Sequence, residues 1–169
     1  MIFGHDTYLC TPYRPLAGAL SKNDAILDAC MEHPDRFGVS PISGDPRVLV
    51  ASLLTDPRNA AWEVWRGGAF VGIILLDRIV PNIDARWNFV FLDDELASKA
   101  GLLNVFADMC FAEFGLQRLS LEVPTHMTTM TSFAKRKLRL ELEGIRSHAY
   151  FDGARWHDVT LLRRMASEV

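Results

Sequence analysis

Apolar and polar positions change period several times along this chain, and each change marks an element. Between Trp62 and Ile79 two β-prone runs, "WEVW" and "AFVGIILLDRI", flank "RGG", the pattern of a hairpin closed by a glycine turn. Gly72 inside the second run predicts a bulge or a close backbone approach. "ARWNFVFL" is apolar or aromatic at nearly every position, as expected of a strand in the middle of a sheet. "ELASKAGLLNVFADMCFAEFG" places Leu96, Ala100, Leu103, Ala107, Cys110, Phe111 and Phe114 at three- and four-residue steps. That spacing predicts an amphipathic helix stopped by Gly115. "RLSLEVP" alternates Leu119, Leu121 and Val123 with Arg118, Ser120 and Glu122, which predicts a strand ended by Pro124.

The last third repeats this alternation of element types. "TTMTSFAKRKL" offers threonine caps and then Met130, Phe133, Ala134 and Leu138 on one helical face. "LELEGIRSHAYF" and "ARWHDVTLL" predict two strands joined at Asp152-Gly153, a strong hairpin signal. The first 60 residues are broken by proline, glycine and aspartate and predict an early helical region. "SKNDAILDACMEH" and "DPRVLVASLL" are its helix candidates, the second opened by Asp45 with Pro46 in its first turn, and "DRFGVSPISGDP" is the loop between them. The resulting order is helices, hairpin, central strand, long helix, strand, short helix and terminal hairpin, which is an α/β chain with a mixed, mostly antiparallel sheet.

Composition narrows the function classes. A chain of 169 residues that is 49% hydrophobic and 23% charged has the size and balance of one globular domain. Its net charge of −3 gives no general electrostatic reason to bind nucleic acid or anionic lipid. Cys10, Cys30 and Cys110 are an odd number with no short-spaced pair, so neither a disulfide framework nor a zinc knuckle is indicated, and a reducing, cytoplasmic setting is expected. The start of the sequence has no basic segment leading into a long apolar run, and no stretch reaches the roughly 18 to 20 apolar residues of a membrane span. His5, His33, His126, His148 and His157 show no metal-ligand spacing, and no metal is expected. Trp62, Trp65, Trp87 and Trp156 all fall on predicted strands, where core packing accounts for them.

At "CFAEFGLQRLSLEV" and "LELEGIRSHAYFDGARWHDVTLLRR" the chain resembles the GNAT superfamily of acyl-CoA N-acyltransferases, in particular its ribosomal-protein N-terminal alanine acetyltransferase branch. Phe111, Glu113, Gly115, Leu116 and Arg118 match that branch's helix-ending run. Glu143, Gly144 and Arg146 resemble its Glu-Gly-x-x-Arg motif, and Asp152, Gly153, Trp156, Asp158 and Leu162 its closing motif. The resemblance covers Trp62 to Arg164 and implies an acyl-CoA-binding core over residues 61–165, with residues 1–60 as an N-terminal helical and loop region on the acceptor side. It implies acetyl transfer from acetyl-CoA to a primary amine, a protein N-terminus among the candidates; a homodimer is the default assembly, although no residue of the sequence points to it. The competing reading is a GNAT-fold binding or structural protein that has lost acetyl-CoA.

The resemblance also implies where acetyl-CoA would lie. Phe91 and Leu92, at the end of the central strand, pair with its pantetheine arm, and the following turn holds its pyrophosphate. Glycine is usual in that turn because it admits the phosphates to the backbone. Here the turn reads Leu92, Asp93, Asp94, Glu95, Leu96, Ala97, Ser98, with Glu95 and Ala97 at the two glycine positions. Two readings stand: a helix capped by its own carboxylates, or a modified cofactor loop in which Ser98 and Lys99 supply contacts. Thr128 and Thr131 fall at the branch's Asn and Ser positions, the first on the cofactor arm, the second either a cap or the acid that protonates the leaving thiolate. Arg139 and Leu140 fall at its Gly-Phe pair, and Lys135 stands near the position of a tyrosine common elsewhere in the superfamily. Glu122 is the first candidate for the base that deprotonates the amine, followed by Asp84 and Asp77. His126 is a further acceptor-groove candidate. "KRKLR", Lys135 to Arg139, is either a solvated helix face or a contact for the 3′-phosphate of coenzyme A.

Overall fold

Short β-prone runs cannot stand alone, and this chain pairs most of them with their neighbours in sequence. The computed structural model describes residues 1–13, 24, 25, 27, 28, 45–93 and 95–166. Among them lies one sheet of eight strands: β1 (Phe3–His5), β2 (Tyr8–Pro12), β3 (Ala60–Arg66), β4 (Ala69–Val80), β5 (Asp84–Phe91), β6 (Arg118–Pro124), β7 (Glu141–Phe151) and β8 (Trp156–Met165). Their order is β1-β2-β3-β4-β5-β6-β8-β7, antiparallel throughout except for the parallel pair β5 and β6. Besides the helical residues 24, 25, 27 and 28, the described helices are α1 (Pro46–Thr55), α2 (Ala100–Glu113) and α3 (Thr128–Lys137), with a 3-10 turn, Leu96–Lys99, leading into α2.

Local chemistry accounts for the element ends. Gly67 and Gly68 both take positive φ, 56° and 83°, which a tight turn between β3 and β4 requires. A side chain at Gly72 would overlap the Val90 carbonyl, so this glycine marks the close approach of β4 to β5 that the sequence predicts. Asp45 caps α1 through its side chain to the Arg47 amide, 2.9 Å, with Pro46 just inside the helix. The β7–β8 hairpin turns over four residues, because the Asp152 carboxylate accepts from the amides of both Ala154 and Arg155.

The sheet buries both faces. Trp62, Val64, Ile74, Leu76, Trp87 and Phe89 face α2 and α3, with Phe106 of α2 at the centre, 5.1 Å from the Trp62 ring and 5.8 Å from Trp87. Ile73, Leu75 and Val90 face the other way onto Val50 and Leu54 of α1. Burying a residue of this kind fully is worth about 1.5 to 3 kcal/mol, so the two layers dominate the stability. Among the described residues no helix is long and apolar enough to cross a membrane.

Four expectations change. The helical reading of the first 60 residues misses the β1–β2 hairpin, whose strands are short and draw their order from pairing with β3. The long helix begins as a 3-10 turn, and it buries Leu102, Phe106 and Met109 as well as the predicted stripe, since β1 packs on it too. No side chain caps α3, whose N-cap is Met127. Trp156 stands 49% exposed against Phe151 on the outer hairpin and is not core. The candidate "SKNDAILDACMEH" lies mostly outside the described residues.

Arg139 sits just beyond α3 with φ 60°, in the place of the glycine that the resemblance implies. Leu140, buried, donates its amide to the Ala134 carbonyl at 3.1 Å and closes the helix in the usual left-handed manner. A non-glycine residue is strained there. Arg139→Gly should therefore raise stability by about 0.5 to 1 kcal/mol, read as an upward shift of about 2 to 3 °C in thermal unfolding.

Candidate functional site

The site begins where two parallel strands part. β5 and β6 pair only from Asp84/Arg118 to Arg86/Ser120. Beyond that point each is held by its outer neighbour alone, β5 by β4 as far as Phe91 and β6 by β8 as far as Pro124. The gap opens into a cavity of about 190 Å³ lined by Phe89, Phe91, Asp93, Leu96, Met127, Thr129 and Met130. Leu121, Glu122, Val123 and Pro124 form the adjoining wall. The result is a mostly apolar slot with the unpaired edge of β5 along one side.

The turn after β5 closes one end of this slot. Lys99 is fully buried, and its ammonium bonds Asp93 and the Glu95 carbonyl, the latter at 3.1 Å. It lies 5.4 Å from the Phe91 ring centre and 5.9 Å from that of Tyr8. Ser98 is tied to the Glu95 carbonyl at 2.7 Å and to the Tyr8 hydroxyl at 3.0 Å. Glu95 makes no capping bond and instead faces Arg66 at 3.7 Å. Asp94 lies outside the described residues. The turn is thus built around an internal cation in place of glycines, and Glu95 does not cap the helix. Phe91 lines the slot, while exposed Leu92 gives its amide to the Val71 carbonyl at 2.9 Å.

Helix α3 supplies the opposite wall. Ala97, Thr128, Thr129, Ser132, Arg136 and Lys137 line an open groove of about 530 Å³ between the 96–99 turn and α3. Of the basic run, Arg136 and Lys137 reach this groove. Thr131, one residue after the slot-lining Met130, has a buried hydroxyl oxygen with no hydrogen-bond partner. Such an atom is costly unless something occupies its valence. It caps nothing.

Glu122 has a different environment from the exposed strand residue its position allows. Its side chain is 19% exposed and accepts from Arg78 at 3.1 Å, Arg146 at 3.0 Å and Arg86 at 3.3 Å. Arg86 also forks onto Asp77, which accepts from Asn88 as well. Burial pushes the Glu122 carboxyl up, but the charges of Arg86, Arg78 and Arg146 outweigh it and hold the group below the ordinary glutamate range. Burial also works against the charge of Arg86, and its bonds to Asp77 and its attraction to Glu122 raise its pKa regardless. This setting works against Glu122 as a base. Asp84 lies farther down the sheet, 3.5 Å from Arg118, and Asp77 is fully engaged.

The His126 ring lies 4.3 Å from that of His157, inclined at 47°, and His157 bonds Asp152 at 2.6 Å. Bonds from His157 and from the Arg155 and Ala154 amides hold the Asp152 carboxyl far below its usual range. Sequence reasoning missed Arg78, Arg86 and Arg146 as partners of Glu122. The available signal was charge inside otherwise apolar strands, "ILLDRI" and "ARWNFVF".

No protein-family model matches the sequence, and no curated protein matches it significantly. Solved structures do match the fold. A ribosomal-protein alpha-N-acetyltransferase, RimL, in complex with coenzyme A superposes with a TM-score of 0.77 at 13% identity over 98% of both chains. A spermidine N-acetyltransferase from Vibrio cholerae in complex with CoA and spermine gives 0.74 at 16%, over 94% of this chain and 96% of that one. A GNAT-family acetyltransferase from Bacillus anthracis gives 0.72 at 17%, over 99% and 100%. The fold is that of the GNAT acetyltransferases, as the sequence motifs imply.

The charges on Glu122 carry a pH signature. A carboxylate whose folded pKa lies below its unfolded value, about 4.3, stabilises the fold above that pH and loses the contribution as pH falls through the folded pKa. Glu122→Gln should cost about 2 kcal/mol at pH 7. The deficit should shrink toward pH 3 and below in denaturant unfolding measured across that range.

Proposed function

We propose that this protein transfers an acyl group, acetyl in the first instance, from acyl coenzyme A to a primary amine by direct attack, with a protein N-terminus among the acceptors. The observation that carries this reading is the parting of β5 and β6 after three residue pairs, which leaves an apolar slot along an unpaired strand edge. The Thr131 hydroxyl, buried and unpartnered, lies next in sequence to slot-lining Met130 on the same helix, within the reach that a local rearrangement of its side chain would need. Acetyl-CoA supplies a thioester: a C–N bond forms to the amine as the C–S bond breaks, the thiolate takes a proton and the amine loses one.

The chain's own residues divide this work. Phe89, Phe91, Met127 and Met130 exclude water from the slot. Thr131 donates a hydrogen bond to the departing sulfur, whose proton comes from water, and Thr128 and Ala97 line the groove for the remainder of the cofactor. Lys99 exchanges Asp93 for the pyrophosphate, with Ser98 beside it. Glu122 remains ionised and holds three arginines in place, so proton removal from the amine falls to water in the open cleft. The cysteines Cys10 and Cys110 take no part, since both are buried free thiols with pKa pushed up to about 12 by burial, as suits a reducing cytoplasm.

A second reading has its own observation. The Lys99–Asp93 pair already satisfies the turn internally, as expected of a GNAT fold that has given up acetyl-CoA. Calorimetric titration of acetyl-CoA separates the two. Saturable binding by the wild type, weakened at least about tenfold by Lys99→Met and abolished by Met130→Trp, supports transfer. If the wild type does not bind and Asp93→Ala does, the turn has been closed by its own ion pair, and the transferase reading fails.

A further inference from the structure

We infer that the cleft beside Glu122 binds an anionic group of the acceptor, so that the amine acted on also carries a carboxylate. This role for the anion rests on the transferase reading; the binding site itself does not. The cleft, about 170 Å³, lies against the sheet between β4, β6 and β7 and is lined by Arg78, Arg86, Arg118 and Arg146. Leu121 and Glu122 line both this cleft and the cavity at the parting strands, so the two spaces share a wall.

Three carboxylates, Asp84, Glu122 and Glu143, line the cleft beside the four arginines, and the excess of positive charge lies at its Glu122 end. Arg78, Arg86 and Arg146 share one carboxylate, Glu122, and only Arg86 has a second in Asp77. Arg78 and Arg146 are 60% and 46% exposed in their side chains, so their remaining N–H donors are open to a ligand. At the far end Arg118 is engaged by two carboxylates, Glu143 at 2.9 Å and Asp84, which faces its Nε at 3.5 Å. A planar guanidinium with spare donors suits a carboxylate, which it can hold at two points.

The backbone at Arg78 is irregular. It takes φ 49° at the irregularity of β4 between Asp77 and Val80. A bulge there aims the side chain toward Glu122, which accepts from it at 3.1 Å. Glu122 and Arg118 stand four residues apart on β6, about 13 Å at the rise of a strand. An extended peptide with its amine at the parting strands would lay an acidic side chain from its first few residues along this distance. A polyamine would meet no unpaired carboxylate among the groups lining the cleft.

The test uses the full chain without acetyl-CoA. Titrate in turn the amidated peptide Ala-Asp-Glu-Ala, its neutral isostere Ala-Asn-Gln-Ala, free glutamate and spermidine, following heat. The acidic peptide or glutamate should bind at least about tenfold more tightly than the neutral peptide and spermidine, less tightly as salt rises. Which of the two binds distinguishes a peptide from an amino-acid acceptor. Arg146→Gln, on the outer strand β7, and Arg78→Gln should each weaken binding by about tenfold with unfolding profiles that show both still folded. Equal binding of acidic and neutral peptides, tighter binding of spermidine, no binding of either acid, or full affinity in folded variants overturns the inference. Acid binding without acetyl-CoA binding keeps the cleft and removes the transferase reading; the reverse removes the cleft alone.

Discussion

Everything proposed for this protein depends on two strands that cannot stay together. β5 is committed to β4 and β6 to β8 along most of their lengths, and each pairing follows the twist of its own half of the sheet. Three shared residue pairs hold the halves together at one end. The twist separates them at the other, leaving unpaired backbone beside apolar side chains. Backbone donors and acceptors without partners are costly in an apolar setting, so such a slot favours an occupant that can both fill it and hydrogen-bond along its edge.

The turn at the mouth of the slot solves a charge problem. Three consecutive acids beside a helix start are unfavourable for a phosphate, and glycines that would expose the amides are absent. The chain buries a lysine there, with Asp93 and the Glu95 carbonyl as partners and two aromatic rings around it. A buried ammonium without a partner would be far more costly than this arrangement. The same cation can serve as the counter-ion of a pyrophosphate or as the plug of an empty turn, and the difference lies in which anion it prefers.

On the other face, Glu122 shows how far surroundings alter a residue's chemistry. One carboxylate on the polar side of an alternating strand reads as a base or as solvated decoration. Three guanidiniums favour its charged form and make it the keystone of an arginine cluster. Its partners come from β4, β5 and β7, so no local window of sequence contains the interaction.

Periodicity alone determined the later elements. The β3–β4 and β7–β8 hairpins, the apolar central strand, α2 ended by Gly115 and the alternating β6 all follow from local pattern and turn chemistry, and the motifs placed them in a GNAT-type order. The β1–β2 hairpin was not legible, because three- and five-residue strands carry little periodic signal and gain their order from β3. The inward turn of Lys99, the unpartnered Thr131 hydroxyl and the arginines around Glu122 were likewise decided only by tertiary structure. Side-chain period records which face a residue takes, whereas charge pairing depends on which distant strand comes to lie beside it.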